Sequence, residues 1–246
     1  MPLGIINETH EPPTFYGVDR TVVEKEINAN TWWETGIMVN TRIAEGFDLT
    51  AFAHSGLDNT AGDIRSGRGK VNNQDGSNMA YTLRLEYTGL PGMEFALWHN
   101  HQTDMDNTPA TGTVSADLWG GHFNMSPSEG FGFRAFGGEW NLDCPSTHAC
   151  ATNGRSKMWG TYVEPSYRWS LGGPLDSSIG VGFRAGAWND KADELDNASN
   201  KIRQYDYMIN YWLSPNAVLK MDYENQKYYT NGKGTSGINV GIGYQF

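Results

Sequence analysis

The chain has 246 residues, 30 glycines, 13% aromatic residues and a formal net charge of −10. That length suits one large all-β domain or two average ones, and no Pro/Ser run or like-charge block divides it, so a single domain over 1–246 is expected. The charge argues against nucleic acid, which needs clustered Lys and Arg, and no run of 18 apolar residues exists to span a membrane as a helix.

The opening "MPLGIINETHEPP" has no basic region and only a short apolar run, so it does not read as a signal peptide. "MPLGII" reads as the last part of a strand, and residues 8–31 as a long loop after it. Alternation and turn residues then give eleven strand candidates, near 32–42, 46–54, 79–88, 93–100, 114–124, 131–141, 158–170, 178–188, 202–213, 217–227 and 237–246. Most run nine to thirteen residues, against about five or six for a globular strand. A tilted transmembrane strand needs roughly nine to eleven. The mean hydropathy of −0.55 does not oppose this, because such strands place only alternate residues in lipid.

One parity of each strand is apolar: Leu83, Leu85 and Tyr87; Phe131 and Phe133; Val163, Tyr167 and Trp169; Val181, Phe183 and Ala185. Tyr205, Tyr207, Ile209 and Tyr211 continue the pattern, followed by Leu219, Met221 and Tyr223. Tyr and Trp crowd the strand ends (Trp32, Trp33, Tyr87, Trp169, Tyr211, Tyr223, Tyr244), where amphipathic rings suit a lipid–water boundary. Pro165, and the phase of 114–124 in which Trp119 and Phe123 oppose Leu118, suggest bulges.

The connections alternate along the chain. "YTNGKGTS", "NDKADELDNASN", "DCPSTHACATNGRS", "HQTDMDNTPATG" and the stretch around "GDIRSGRGKVNNQDGS" are long; "SPN", "LGGPLDS", "SPSEG", "TGLPG" and "IAEG" are short. Outer-membrane barrels sort their loops this way, with short turns at the periplasmic rim and long loops outside. The closing "NVGIGYQF" sets Ile238, Val240, Ile242, Tyr244 and Phe246 on one face, with glycine and amides on the other. It reads as the last strand, with Phe246 at the periplasmic rim; a terminal aromatic there resembles the signal read by the outer-membrane assembly machinery of Gram-negative bacteria.

The fold expected is therefore an all-β antiparallel transmembrane barrel of eleven strands plus an N-terminal strand stub. Bacterial single-chain barrels have an even strand number. A missing N-terminal part is the favoured expectation, and closure at twelve through residues 1–7 is the alternative.

Cys144 and Cys150 share a polar loop, "CPSTHAC", which suggests a local disulfide and an oxidising compartment; two free thiols are the alternative. His148 between them is a third soft ligand, but a metal site lacks a fourth. His99 and His101 share a strand face without an evident third ligand. "DMDNTP" (Asp104, Asp106) begins like a calcium loop but has Pro109 where Gly is needed. "NDKADELDN" (Asp190, Asp193, Glu194, Asp196) reads as a solvated loop, with cation-bridged lipopolysaccharide contact a minor alternative. Ser, His and Asp are scattered without a triad. "GFGFRAFGG" alternates as a strand and opens no helix, so it is not a phosphate loop. No cofactor, no metal and no catalytic centre are expected.

"PLGIINETHEPPTFYGVDRTVVE" followed by "NTWWETG" resembles the phosphate-selective porin O/P family of outer-membrane porins. The resemblance implies a homotrimer of sixteen-stranded barrels in the bacterial outer membrane, in contact with lipid and lipopolysaccharide. It also implies that this chain starts near the end of the fifth strand, and that residues 8–31 are the pore-narrowing loop. A diffusion pore works through charges along a water-filled path. Opposite the apolar rows lie the basic residues Arg42, Arg84, Arg134, Arg168, Arg184 and Lys220. The acids on that face are Glu34, Asp48, Glu86, Glu94, Glu164, Asp206, Asp222 and Glu224. Arginine binds oxyanions with a planar fork; the plainer reading is that these charges pair and brace the wall. Arg20 and Lys25 are the loop's only basic residues, against Glu8, Glu11, Asp19, Glu24 and Glu26, a departure from the family's basic constriction. The expected function is a weakly selective porin for small anions, phosphate included, or small polar solutes. A barrel adhesin or enzyme, and a soluble β-sandwich that binds carbohydrate, are the alternatives.

Overall fold

A computed structural model describes residues 1–58, 64–69, 71–72, 76–106, 112–193 and 200–245. Among these residues eleven strands form one antiparallel sheet in sequence order: β1 (Gly36–Ala44), β2 (Phe47–Ser55), β3 (Met79–Tyr87), β4 (Glu94–Gln102), β5 (Ser115–Met125), β6 (Gly130–Asp143), β7 (Lys157–Gly172), β8 (Ser177–Asn189), β9 (Ile202–Ser214), β10 (Ala217–Tyr228) and β11 (Gly234–Tyr244). Each strand pairs with its neighbours in the chain, and the outer edges of β1 and β11 are not paired with one another. Phe246 lies outside the described residues.

The two faces differ as the alternation requires. Leu83 and Leu97 are 51% and 67% exposed, and Val181, Tyr207, Leu219 and Ile242 stand out on the same side. The alternate residues Thr82, Arg84, Trp98, Asn100, Tyr162, Asp206 and Lys220 are buried. A soluble sandwich would bury the apolar row under a second sheet. Among the described residues every strand belongs to the one sheet, so the sandwich expectation is set aside.

What covers the inner face is the N-terminal segment. The expected strand stub is not a strand. Gly4 takes a φ of 80°, and Ile5–Glu8 form a single helical turn, α1. Leu3, Ile5 and Ile6 are buried; an apolar stub facing protein instead of lipid gains nothing from extending the sheet. A 3₁₀ turn follows at Pro12–Thr14, then helix α2 at Val22–Ile27. Residues 1–35 thus descend from the long-loop rim toward the short-turn rim and climb back to β1. Trp32 is buried beneath them and not at a lipid boundary, while Trp33 is exposed. Leu3, Val23, Ile27 and Trp32 join Trp98, Phe136, Trp140, Tyr162 and Trp188 of the wall in one core.

Short turns of two to six residues join β1–β2, β3–β4, β5–β6, β7–β8 and β9–β10. Longer connections span 56–78, 103–114, 144–156 and 190–201. The β10–β11 connection breaks the alternation: its last strand starts at Gly234, leaving only 229–233, because Tyr228 and Lys233 close the hairpin through a backbone hydrogen bond of 2.8 Å. The suspected bulges are absent. Register is the same on both sides of Pro165, with Val163 opposite Ala185 and Ser166 opposite Gly182. β5 is in register throughout because Leu118 points into the core while Trp119 points out. Register shifts fall instead beside the short turns, between Arg42 and Ala44, Ser170 and Gly172, and Ala217 and Val218.

Candidate functional site

The inner segment is mostly irregular, so its main-chain groups find few partners within it and must be satisfied by the wall. Polar side chains of the inner row do this. Lys220 Nζ donates to Phe15 O (2.6 Å) and Gly17 O (2.9 Å), Arg134 to Thr14 O (2.7 Å), and Trp212 Nε1 to Pro13 O (3.0 Å). Trp140 Nε1 donates to Ile27 O (2.8 Å), and Asp222 Oδ2 accepts from Val18 N (2.6 Å). Across the long-loop rim Arg68 donates to Asn30 O and, at 2.9 Å, to Thr31 Oγ1.

The inner glycines make room for the same segment. A Cβ at Gly160 would lie 2.8 Å from both Val23 Cγ1 and Ile27 Cγ1, and one at Gly180 would lie 2.8 Å from the Tyr16 hydroxyl. At Gly243 it would lie 2.2 Å from Pro12 Cβ, and at Gly241 3.0 Å from Val18 Cγ1. The glycine face of the final strand is therefore a seat for residues 12–18.

Two ion clusters anchor the segment and brace the wall. Arg84 meets Glu94 at 2.8 Å, Glu86 at 2.9 Å and Glu8 of the segment at 3.0 Å, and Glu94 also accepts from His122 at 2.8 Å. Burial pushes the Glu8 carboxyl up to about 7, with Arg84 pulling the other way. Arg184 bridges Glu164 (2.6 Å) and Asp206 (3.1 Å) beneath the segment. Glu24 of α2 is fully enclosed: its Oε1 accepts from the Tyr162 hydroxyl at 2.6 Å and its Oε2 from Ile6 N at 2.9 Å. Burial raises its pKa above the ordinary carboxylate value.

Of the residues expected on the inner face, Arg84, Arg134, Arg184, Lys220, Glu164, Asp206 and Asp222 are there and buried by these contacts, and Glu86 and Glu94 sit half-buried beside Arg84. Glu34 precedes β1 and is not on a strand; it accepts from Trp32 Nε1 at 2.8 Å and Ser55 Oγ at 3.0 Å. Arg42 lies on the edge strand, largely exposed, 3.3 Å from Asp48. Arg168 stacks 3.9 Å above the Trp212 ring and donates to Ser178 Oγ at 2.7 Å. Arg20 donates to His10 O at 3.4 Å.

Space remains around the segment. One cavity of about 420 Å³ is lined by Arg20, Lys25, Arg65, Asp19 and Glu224, with His10, Asn30 and apolar neighbours. A second of about 470 Å³ shares Val22 and Lys25 with it and adds Lys191, Glu26 and the Arg155–Asp190 pair (2.9 Å). A third, of about 370 Å³ near the short-turn rim, is lined by Arg134, Arg168, Tyr16 and Trp212, with no carboxylate. In each the basic side chains outnumber the acidic ones, although the chain as a whole is acidic. Arg65, Arg155 and Lys191 come from connections, whose aim no periodicity encodes; reading the strands alone missed them.

Elsewhere, Cys144 and Cys150 are joined by a disulfide. His99 and His101 share a third group unseen in the sequence, Asp117 Oδ1 on β5, at 2.7 and 3.0 Å. Asp104 Oδ1 braces its own loop by accepting from Asp106 N and Val114 N, each at 2.9 Å. Asp193 Oδ2 accepts from Ser156 Oγ at 3.3 Å. Pro109, Glu194 and Asp196 lie outside the described residues.

No family model matches the chain. It is 57% identical over 37 residues to an uncharacterized protein of Aquifex aeolicus, a stretch that is 15% of this chain and spans only 8% of that protein's length. A crystal structure of Acinetobacter baumannii OccAB3 aligns over 94% of this chain and 72% of its own, at 10% identity and a TM-score of 0.42, too low to assign a shared fold.

Proposed function

We propose that this chain forms the wall of an outer-membrane diffusion channel whose lumen is narrowed by its own residues 8–31. The observation that carries the reading is the exposed apolar row of the sheet: Leu, Val, Phe and Tyr side chains stand exposed along nearly every strand, while the buried face mixes charged and amide side chains with core aromatics such as Trp98, Phe136 and Trp140. In water an apolar surface extending over a whole sheet is unfavourable at about 25 cal/mol per Å², and monomeric soluble proteins rarely carry contiguous patches beyond a few hundred Å². Hydrocarbon removes that cost. The free edges of β1 and β11 belong to the same reading, since an unpaired strand edge is not tolerated in lipid and must be paired when the wall closes.

Solutes in this reading pass beside the inner segment, through the spaces lined by Arg20, Lys25 and Arg168. The basic excess of those linings supports a preference for small anions. Asp19, Glu26 and Glu224 keep the preference weak. The resemblance noted above extends the proposal to phosphate, with Arg20 and Lys25 as the loop residues on which it would depend, and to a homotrimer in contact with lipid and lipopolysaccharide.

The test is single-channel recording in planar bilayers under a KCl gradient. The reversal potential should report modest anion preference, and Arg20→Gln with Lys25→Gln should move it toward cations. Absence of conductance from correctly inserted protein, or a cation preference indifferent to these substitutions and to Arg168→Gln, would overturn it.

A further inference from the structure

The β6–β7 connection holds a group of side chains that the channel reading does not use. His148 is buried, and its Nδ1 lies 2.8 Å from Cys150 Sγ while accepting the Cys150 N–H at 3.1 Å. Its Nε2 lies 3.4 Å from Asp106 Oδ2, contributed by the neighbouring 103–114 connection, with the carboxylate enclosed. An accepting Nδ1 puts the ring proton on Nε2, facing Asp106. The imidazole Nδ1 thus sits against one sulfur of a disulfide, with a carboxylate at the ring's other nitrogen. Of the two cysteines, Cys144 is partly buried and the more accessible, and Cys150 is enclosed.

A disulfide that only staples a loop needs no base beside one sulfur. A base there changes how easily that sulfur departs, because exchange rates depend on the leaving thiol's pKa, and a neighbouring protonated imidazole lowers a cysteine's pKa. We propose that Cys144–Cys150 is an exchange-active disulfide open to small thiols at the long-loop rim, with Cys144 as the sulfur attacked and Cys150 as the leaving group.

The step balances with a thiol, RSH, as reductant. Its thiolate adds to Cys144 Sγ, the RS–Sγ bond forms, the Sγ–Sγ bond breaks, and the electron pair goes to Cys150 Sγ. The proton lost by RSH comes to His148 Nδ1, leaving a Cys150 thiolate beside an imidazolium that Asp106 holds. A second RSH attacks the mixed disulfide at the R-bearing sulfur, releasing RSSR and Cys144 as a thiol. Two thiols are oxidised and one disulfide is reduced.

The folded chain in detergent micelles would be treated with reduced glutathione and quenched with iodoacetamide, and its peptides read by mass spectrometry. Glutathione should appear on Cys144 and the alkyl group on Cys150. His148→Gln can still accept the Cys150 N–H but cannot hold the proton, and should slow the first step by about tenfold. Asp106→Asn should slow it less, in the same direction. Glutathione found on Cys150, an inert wild-type disulfide, or a His148→Gln protein that reacts at the wild-type rate would overturn the proposal. If His148→Gln does not fold, Asp106→Asn decides: an unchanged rate refutes it.

Discussion

On β10, Leu219, Met221 and Tyr223 project outward, while Lys220 and Asp222 between them are buried and hold the backbone of residues 15–18. The two faces are built by different physics. The outer face makes its contacts largely among its own side chains, as in the ring pairs Phe95–Phe123 and Phe183–Tyr207, so its energy depends also on its surroundings, and substitutions there should be felt in proportion to the polarity introduced. The inner face works by satisfying an irregular segment's hydrogen bonds and leaving room for its side chains. There a single atom decides the effect.

Four substitutions or titrations separate these regimes, and the largest belongs to the outer face. Leu97→Arg, at the middle of β4, should destabilise the folded protein in bilayers by about 2–4 kcal/mol, measured by denaturant unfolding from vesicles. In aqueous surroundings the same change would fall within about ±0.5 kcal/mol, which would break the comparison. On the inner face, Tyr162→Phe leaves Glu24 Oε1 enclosed without its donor and should weaken seating of the segment by about 1–3 kcal/mol. Protease cleavage within residues 1–35 should accelerate accordingly. Gly243→Ala presses a methyl on the rigid Pro12 ring and should cost about 1–3 kcal/mol or shift the turn at Pro12–Thr14, seen as altered conductance with unchanged strand content. The last test is a titration. Because the Glu8 carboxyl is raised from 4.5 to about 7 by burial, the folded state holds its proton more tightly than the unfolded chain. Stability should therefore decline as pH rises from 4.5 to about 7 and level off outside that window. Glu8→Gln should flatten this dependence in pH-resolved unfolding curves.

Much of this was legible beforehand. Eleven strands fall where alternation placed them, and the rows through Leu83, Val181 and Leu219 are exposed as their parity required. What failed was local context. "MPLGII" has the composition of a strand end but runs into the helical turn at Ile5–Glu8, with Leu3 in the core that holds Trp98 and Trp32 and with Ile5 and Ile6 buried. Trp32 looked like a boundary aromatic for the same reason. In the last strand glycine read only as part of the face opposite the apolar row; Gly241 and Gly243 are seats for Val18 and Pro12.

The sequence by itself determined the sheet: strand number, order and which parity faces out, because a period of two needs only neighbouring residues to be expressed. The tertiary structure alone decided what the inward charges do. Whether Lys220 or Arg84 meets solute, another charge or a carbonyl depends on a segment some eighty to two hundred positions away. No pattern along the chain encodes that distance, since irregular backbone has no period and its hydrogen bonds are satisfied only once the wall curves around it.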